Sequence, residues 1–290
     1  MNPLSPVDLH LHSSASDGVL EPAALVAHAA GCGVRYMALT DHDTVAGLDE
    51  AAAAAKRLGV TLVTGVELSV DWRGRALHVL GLAFDPAAVA LVRGLCLLQA
   101  ERLERAEQMA ARLAAAGAPG DAALELVRAA GQLPTRMHFA RALVTLGAAK
   151  DAATAFDRWL ARGRPGYFAA KWPSLADATG WVVAAGGCAV IAHPMRYALS
   201  AGARRELCAE FVSAGGQGIE VITGGGGIKN ADQAVSLAVR CGLDGSVGSD
   251  FHDPAIPWNP PGRLAKLPGS VRPVWSGPPF PEFETDAEPA

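Results

Sequence analysis

Two histidines separated by one residue, His10-Leu11-His12, mark the first place in this chain where chemistry can be read. On a strand, residues two apart point to the same side, so both imidazoles can meet one ion while Leu9 and Leu11 turn to packing. Asp17 follows shortly after. Farther along come Thr40-Asp41-His42-Asp43, Glu67 in GVELS, His78 in LHVLG, His193 in AHP, and Asp250 and His252 in GSDFH. Mixed imidazole and carboxylate ligands without thiolate suit Mn²⁺, Fe²⁺ or Zn²⁺ better than Ca²⁺ or a structural zinc. Nine ligands (His10, His12, Asp17, His42, Glu67, His78, His193, Asp250, His252) are too many for one ion. They suffice for two or three if a carboxylate such as Glu67 bridges. Closely spaced ions recur in phosphatases because together they generate hydroxide and neutralise phosphate. Any one of these residues has an ordinary structural reading, but nine in such places do not. His28, in an Ala-rich helix, and His138 fall outside the set.

The elements that must hold them alternate. PVDLHLH, VRYMALTDHD, VTLVTGVEL and RALHVLGLAF read as strands, with helical EPAALVAHAAGC and AGLDEAAAAAKRLG between the first three. The alternation resumes near residue 174 with helix SLADATGWVVAAGG, strand CAVIAHP, helix SAGARRELCAEFVSAGG, strand QGIEVIT, helix KNADQAVSLAVRCG and strand LDGSVGSDFH. Repeated β-α units with short Gly-containing links predict a mostly parallel α/β sheet, closed or nearly closed. The ligand groups then lie at or near the carboxyl ends of strands, where such barrels build their sites. Between about 86 and 163 the pattern is helical throughout, with one long helix ended by Gly117 and Pro119 and three shorter ones after it. This predicts barrel segments at 1–97 and 169–275, a helical insertion or cap at 98–168, and a loose Pro- and acid-rich tail at 276–290. The run Gly224-Gly225-Gly226-Gly227 lacks the spacing of a phosphate loop and reads as a flexible connector.

Composition narrows the class. Of 290 residues half are apolar and 19% charged, which describes a globular chain. A formal charge of -4 gives no general attraction to nucleic acid, so any polyanion needs a local basic patch. The N-terminal residues lack a signal-peptide pattern, no apolar run is long enough to span a bilayer, and five cysteines form no C-x-x-C pair. A cytoplasmic protein with reduced thiols, and no membrane or obligate protein partner, is expected.

In order, DLHLHSSASDG, LTDHD, GVELS, LHVLG, AHP and GSDFH resemble the PHP (polymerase and histidinol phosphatase) superfamily, over roughly 1–85 and 170–260. The resemblance implies a distorted (β/α)7 barrel with a trinuclear site. One metal would take His10, His12, Glu67 and Asp250; a second would share Glu67 and take His78 and His193; the third would take Asp17, His42 and His252. TRMHFARAL, AFDRWLARGRPGYF and AHPMRYALS are similar to the subgroup of nucleoside 3′,5′-bisphosphate phosphatases and 5′-to-3′ exoribonucleases, whose insertion caps the barrel mouth. Met195 departs from the small residue common after AHP. Arg102, Arg105, Arg136, His138, Lys171 and Arg196 are then candidates for a second phosphate and its sugar, since guanidinium binds phosphate bidentately.

The expected activity is removal of the 3′-phosphate from a nucleotide such as adenosine 3′,5′-bisphosphate by metal-bound hydroxide, with two or three ions, manganese before iron or zinc. Glu67, His193, His252 and Asp250 are the expected catalytic residues, with His193 or His252 protonating the leaving oxygen. Alternatives are stepwise 5′-to-3′ cleavage of short RNA, a histidinol-phosphate phosphatase, an amidohydrolase-like enzyme, and a non-catalytic PHP module binding nucleic acid or a polymerase.

Overall fold

The computed structural model describes residues 4–283. Strands β1 (Val7–Leu11), β2 (Tyr36–Leu39), β3 (Thr61–Trp72), β4 (Arg75–Leu82), β5 (Cys188–Ile191), β6 (Gly218–Thr223) and β7 (Asp244–Gly248) form one sheet in chain order. Neighbours pair in parallel except that β4 runs antiparallel to both β3 and β5. The sheet curls back on itself. Leu11 bridges Phe251, the His12 amide donates to the Phe251 carbonyl at 2.9 Å, and the Asp250 amide donates to the His10 carbonyl at 2.8 Å. The result is a distorted seven-stranded α/β barrel whose distortion is the reversed β4, joined to β3 by a tight hairpin at Arg73 and Gly74, both at positive φ.

Helices α1 (Pro22–Gly31) and α2 (Leu48–Leu58) pack outside the first strands. The α2 sequence LDEAAAAAKRL buries Leu48, Ala51, Ala54 and Ala55 at helical spacing. Its acids lie in the first turn, its bases in the last, and Gly59 ends it in the left-handed region. The insertion follows: α3 (Val89–Ala115), α4 (Gly120–Ala129), α5 (Arg136–Thr145) and α6 (Ala152–Ala155), the last running into a π turn at Phe156–Leu160. The segment DAATAFDRWLARG is thus one α turn and one π turn, not a regular helix. Helices α7 (Leu175–Ala184), α8 (Ala201–Ser213) and α9 (Gly227–Cys241) complete the barrel's outer layer.

At 27 residues, about 40 Å, α3 is long enough to belong to two cores. Leu91, Leu95 and Leu98 join the barrel core, whereas Ala106, Met109, Ala110 and Leu113 join a separate cluster with Phe139, Leu143 and Leu160. The boundary expected between 97 and 98 therefore falls inside a continuous helix, which holds the insertion at a set angle to the barrel. The tail is not loose as far as it is described: Phe280 is buried, and the Phe283 ring stacks on Tyr36 at 4.3 Å. Residues 284–290 of that tail lie outside the described residues.

Within the insertion, α4 starts against the backbone of α3. A Cβ on Gly120 would lie 2.1 Å from the Ala110 carbonyl oxygen. Gly120→Ala should lower the unfolding free energy by about 1–3 kcal/mol, read by urea denaturation. A variant as stable as wild type would show that these helices are free to separate.

Candidate metal centre

The β3–β4 register decides which side chains meet. Ser69 pairs with His78, and Glu67 lies two residues before Ser69, so all three share one face of the hairpin. Glu67 does not close β3, which continues to Trp72, and His78 lies in the first half of β4. The rule that ligands sit at carboxyl ends of strands fails for these two because the hairpin extends beyond the barrel mouth and β4 returns into it. His10 on β1 and His12, just past its end, meet at the same point, and the bridge between His42 and Glu67 brings in the loop after β2. His193 and Asp250 follow β5 and β7. Asp43 (φ 53°), His193 (φ 29°) and Asp250 (φ 54°) all sit in the left-handed region that side chains rarely adopt. Such outliers gather where a site over-determines the backbone.

Five imidazoles surround the buried Glu67 carboxylate. Oε2 is 3.3 Å from His10 Nε2, 3.2 Å from His12 Nε2 and 3.0 Å from His42 Nδ1. Oε1 is 2.9 Å from both His78 Nδ1 and His193 Nε2. Asp250 Oδ1 stands 3.3 Å from His10 Nε2 and 3.2 Å from His12 Nε2, and those two nitrogens are 3.1 Å apart. A regular tetrahedron of donors about 2.0 Å from an ion has edges of about 3.3 Å. Asp17 Oδ1 lies 3.2 Å from His252 Nε2 and 3.9 Å from His42 Nε2. Three groups of donors are close enough to hold ions: His10, His12, Glu67 and Asp250; His12, Asp17, His42 and His252; and His42, Glu67 and His78.

These donors fit metal better than one another. His42 Nδ1, His78 Nδ1, Glu67 Oε2 and Asp17 Oδ1 are buried, in contact with a counter-charge, and yet make no hydrogen bond. Lone pairs that converge on a shared point, not along donor–acceptor lines, give that pattern. The electrostatics agree. Burial opposes charge on His10, but Glu67, Glu220 and Asp250 outweigh it and hold its pKa well above the histidine range. Against the same burial, Asp250 and Glu67 push His12 up to about 10. The imidazoles in turn hold Glu67, Asp17 and Asp250 well below the carboxylate range despite burial. Bound metal would replace those protons.

A second ring of acids, not singled out in the sequence, orients these groups. Glu220 on β6 accepts from His10 Nδ1 at 2.9 Å and from the His193 amide at 2.5 Å. Asp41 accepts from Ser13 and Ser16. Asp8 accepts from the Ser249 amide, which helps close β1 onto the last loop. The available signal was a lone acid in an apolar strand, as in QGIEVIT, since a buried charge must have a partner.

A family model described as the PHP domain matches residues 8–91. A 3′,5′-nucleoside bisphosphate phosphatase of Chromobacterium violaceum is 46% identical over 93% of this chain and 95% of its own. The chain belongs to the PHP family. A 5′-3′ exoribonuclease of Haemophilus influenzae is 42% identical over 92% of this chain and 97% of its own. A solved structure, described as an amidohydrolase from Chromobacterium violaceum with bound sulfate and no metal, superposes with a TM-score of 0.87 at 45% identity, covering 93% of this chain and 95% of that one.

In this PHP protein a cavity of about 180 Å³ lies between centre and insertion, lined by Asp17, His42 and His78 on one side and Arg102, Arg105 and Arg136 on the other. The three arginines are not equivalent. Arg102 is already engaged: Nε donates to Asp43 Oδ2 at 2.6 Å, while its other nitrogens reach Ser69 Oγ and the Pro134 carbonyl. Arg105 and Arg136 form no ion pair among the described residues. They stack near Trp172 and Phe156, with Arg105 Cζ 5.5 Å and Arg136 Cζ 5.8 Å from the ring centres. Burial, then the charges of Arg136 and Arg102, brings the Arg105 pKa down to about 9, and burial lowers Arg136 too. These are cations short of an anion.

The other three expected phosphate contacts are placed otherwise. His138 closes a capping box: Thr135 Oγ accepts from the His138 amide, and His138 Nδ1 accepts from the Thr135 amide at 3.0 Å. It shapes the turn that carries Arg136 and does not line the cavity. Lys171 is exposed, and only its backbone amide is tied down, to Glu101. Arg196 pairs with Asp250 and donates to the Gly224 carbonyl, on a different cavity.

The Arg102–Asp43 pair is buried, with Arg102 only 4% exposed. Removing one partner strands a charge, so Arg102→Ala should cost about 3–5 kcal/mol in urea unfolding. Arg102→Met combined with Asp43→Asn should recover most of that. No recovery would mean that the pair does more than neutralise itself.

Proposed function

We propose that the protein is a metal-dependent phosphoesterase removing the 3′-phosphate of nucleoside 3′,5′-bisphosphates. It acts in the cytoplasm, where its five free cysteines stay reduced. The observation that carries this is the pair of half-buried guanidiniums of Arg105 and Arg136, without an ion pair among the described residues, facing Asp17, His42 and His78 across one cavity. A substrate with one phosphate at the centre and another a sugar's length away satisfies both. The nine residues His10, His12, Asp17, His42, Glu67, His78, His193, Asp250 and His252 hold two or three divalent ions, manganese foremost. When bound, those ions supply an activated water and neutralise phosphate oxygens.

The protein's own groups do the rest. Glu67 offers one oxygen to each side of the centre. Glu220 orients His10, and Tyr197 orients β4 by accepting from the His78 amide at 2.9 Å. Arg105 and Arg136 hold the 5′-phosphate, with Trp172 and Phe156 keeping them in place. His252 Nδ1 donates to the Asp250 carbonyl at 2.9 Å, which turns Nε2 to Asp17. With both ring nitrogens of His252 so engaged, His193, whose Nδ1 has no hydrogen-bond partner among the described residues, delivers the proton to the departing 3′-oxygen. An amidohydrolase reading has less support, since no lysine stands in the sequence motifs that carry the nine donors.

Protein prepared with manganese in the medium should carry two or three ions per chain by elemental analysis. Glu67→Gln should lower that content and cost at least about a thousandfold in kcat, with circular dichroism unchanged. One ion per wild-type chain, or a variant with more than a tenth of wild-type turnover, would sink the bridging role.

A charge-assisted contact is worth about 1.5–3 kcal/mol, or about 10- to 150-fold in kcat/KM. Arg105→Ala and Arg136→Ala should each weaken bisphosphate hydrolysis by that factor and leave a small aryl phosphate nearly untouched. Equal losses on both substrates would reject the cavity as the second-phosphate site.

A further inference from the structure

We infer that the outward face of α3 binds the same face of a second copy of this chain, giving a two-fold symmetric dimer. This surface lies away from the centre, and its pairing does not depend on which phosphate ester the centre hydrolyses.

A surface helix ordinarily carries one apolar stripe and one polar one, whereas a helix apolar all round is covered on both sides. The first half of α3 is apolar all round. Leu91, Leu95 and Leu98 enter the barrel core. Val89, Val92, Cys96, Leu97, Ala100 and Leu103 are all exposed, with Val89, Leu97 and Leu103 open over 64%, 65% and 54% of their surface. At about 100° per residue, those six centre on the side of the helix opposite the three buried leucines. The pattern then stops. From Glu104 onward the large outward side chains are polar, as at Glu107, Gln108 and Arg112. An exposed apolar patch with a sharp polar end, about 20 Å long, marks a contact surface.

The charges at its two ends decide what covers it. Arg93 stands near the beginning of the stripe and Glu104 at its end, about 16 Å farther along the axis. Both are exposed, and neither side chain forms an ion pair or hydrogen bond among the described residues. A parallel copy would set Arg93 against Arg93 and Glu104 against Glu104. An antiparallel copy sets Arg93 against the partner's Glu104, and by symmetry does so twice, about an axis near residue 98.

The same axis matches the apolar residues. Val92 comes opposite the partner's Leu103, Cys96 opposite the partner's Ala100, and Leu97 beside its own counterpart. Arg93, Leu97 and Glu104 lie along one edge of the stripe, Val92 and Leu103 along the other, and antiparallel helices bring like edges together. The small Cys96 and Ala100 in the middle let the two backbones approach. Arg102 and Arg105 leave α3 on its opposite side, so pairing does not occlude the cavity they line. One helix face makes a small interface, under about 1,200 Å² in total, so monomer and dimer exchange with concentration.

Sedimentation velocity on the full chain should show a shift from monomer to dimer across micromolar concentrations. Arg93→Glu and Glu104→Arg should each weaken association about tenfold or more, because symmetry turns either change into two like-charge contacts. The double variant exchanges the charges and should return to within about threefold of wild type. Ala100→Cys sets a thiol opposite the partner's Cys96, so copper-catalysed air oxidation should yield a covalent dimer whose peptide map joins positions 96 and 100. Circular dichroism checks that each variant is folded. A wild-type chain that stays monomeric at its highest soluble concentration would overturn the inference. So would a dimer indifferent to both single variants, a double variant no better than either, or an Ala100→Cys protein with no 96–100 link.

Discussion

The buried carboxylate of Glu67, ringed by His10, His12, His42, His78 and His193, is the constraint around which this molecule is arranged. Removing a carboxylate from water is expensive unless positive charge or well-aligned donors replace the solvent. Here five rings come close, several without hydrogen-bond alignment, so the arrangement is complete only with cations between them. The backbone bends to reach it: the loops after β2, β5 and β7 each carry a residue at positive φ beside the centre. Glu220, Asp41 and Asp8 hold those loops by accepting from side chains and amides.

The same economy of charge separates the arginines of the insertion. Asp43, next to His42, takes Arg102 and so ties α3 to the barrel mouth, assisted by Gln99 on the Asp43 carbonyl and Arg141 on the Asp17 carbonyl. With Asp43 taken by Arg102, Arg105 and Arg136 form no ion pair among the described residues and stand in a partly buried cavity. The insertion thus supplies an anchor and a receptor from one helix face, since residues 102 and 105 are three apart. Because α3 is shared between two hydrophobic cores, the receptor's distance from the centre is set by a rigid element and not by a loop.

Charge is also unevenly spread over the rest of the surface. An acidic chain keeps Arg205, Arg240, Arg263 and Lys266 along a cavity and groove beyond His193. The centre therefore has a basic approach on each side, one closed by the insertion and one open along α8 and α9.

Much of this was legible in the sequence, for a local reason. Within one element, spacing sets direction: His10 and His12 share a side because strands repeat every two residues, and Arg102 and Arg105 share a side because helices repeat every 3.6. The alternation of strands and helices, the long α3 and the helical insertion follow from such patterns. What spacing cannot carry is how elements meet. The reversal of β4, which puts His78 beside Glu67, depends on a hairpin register. The pairing of Arg102, the capping role of His138, the diversion of Arg196 to Asp250 and the service of Glu220 to His10 are contacts between residues far apart in the chain. Only the packed structure decides them, because whether a charged side chain awaits a ligand or is already neutralised depends on neighbours that the sequence does not place.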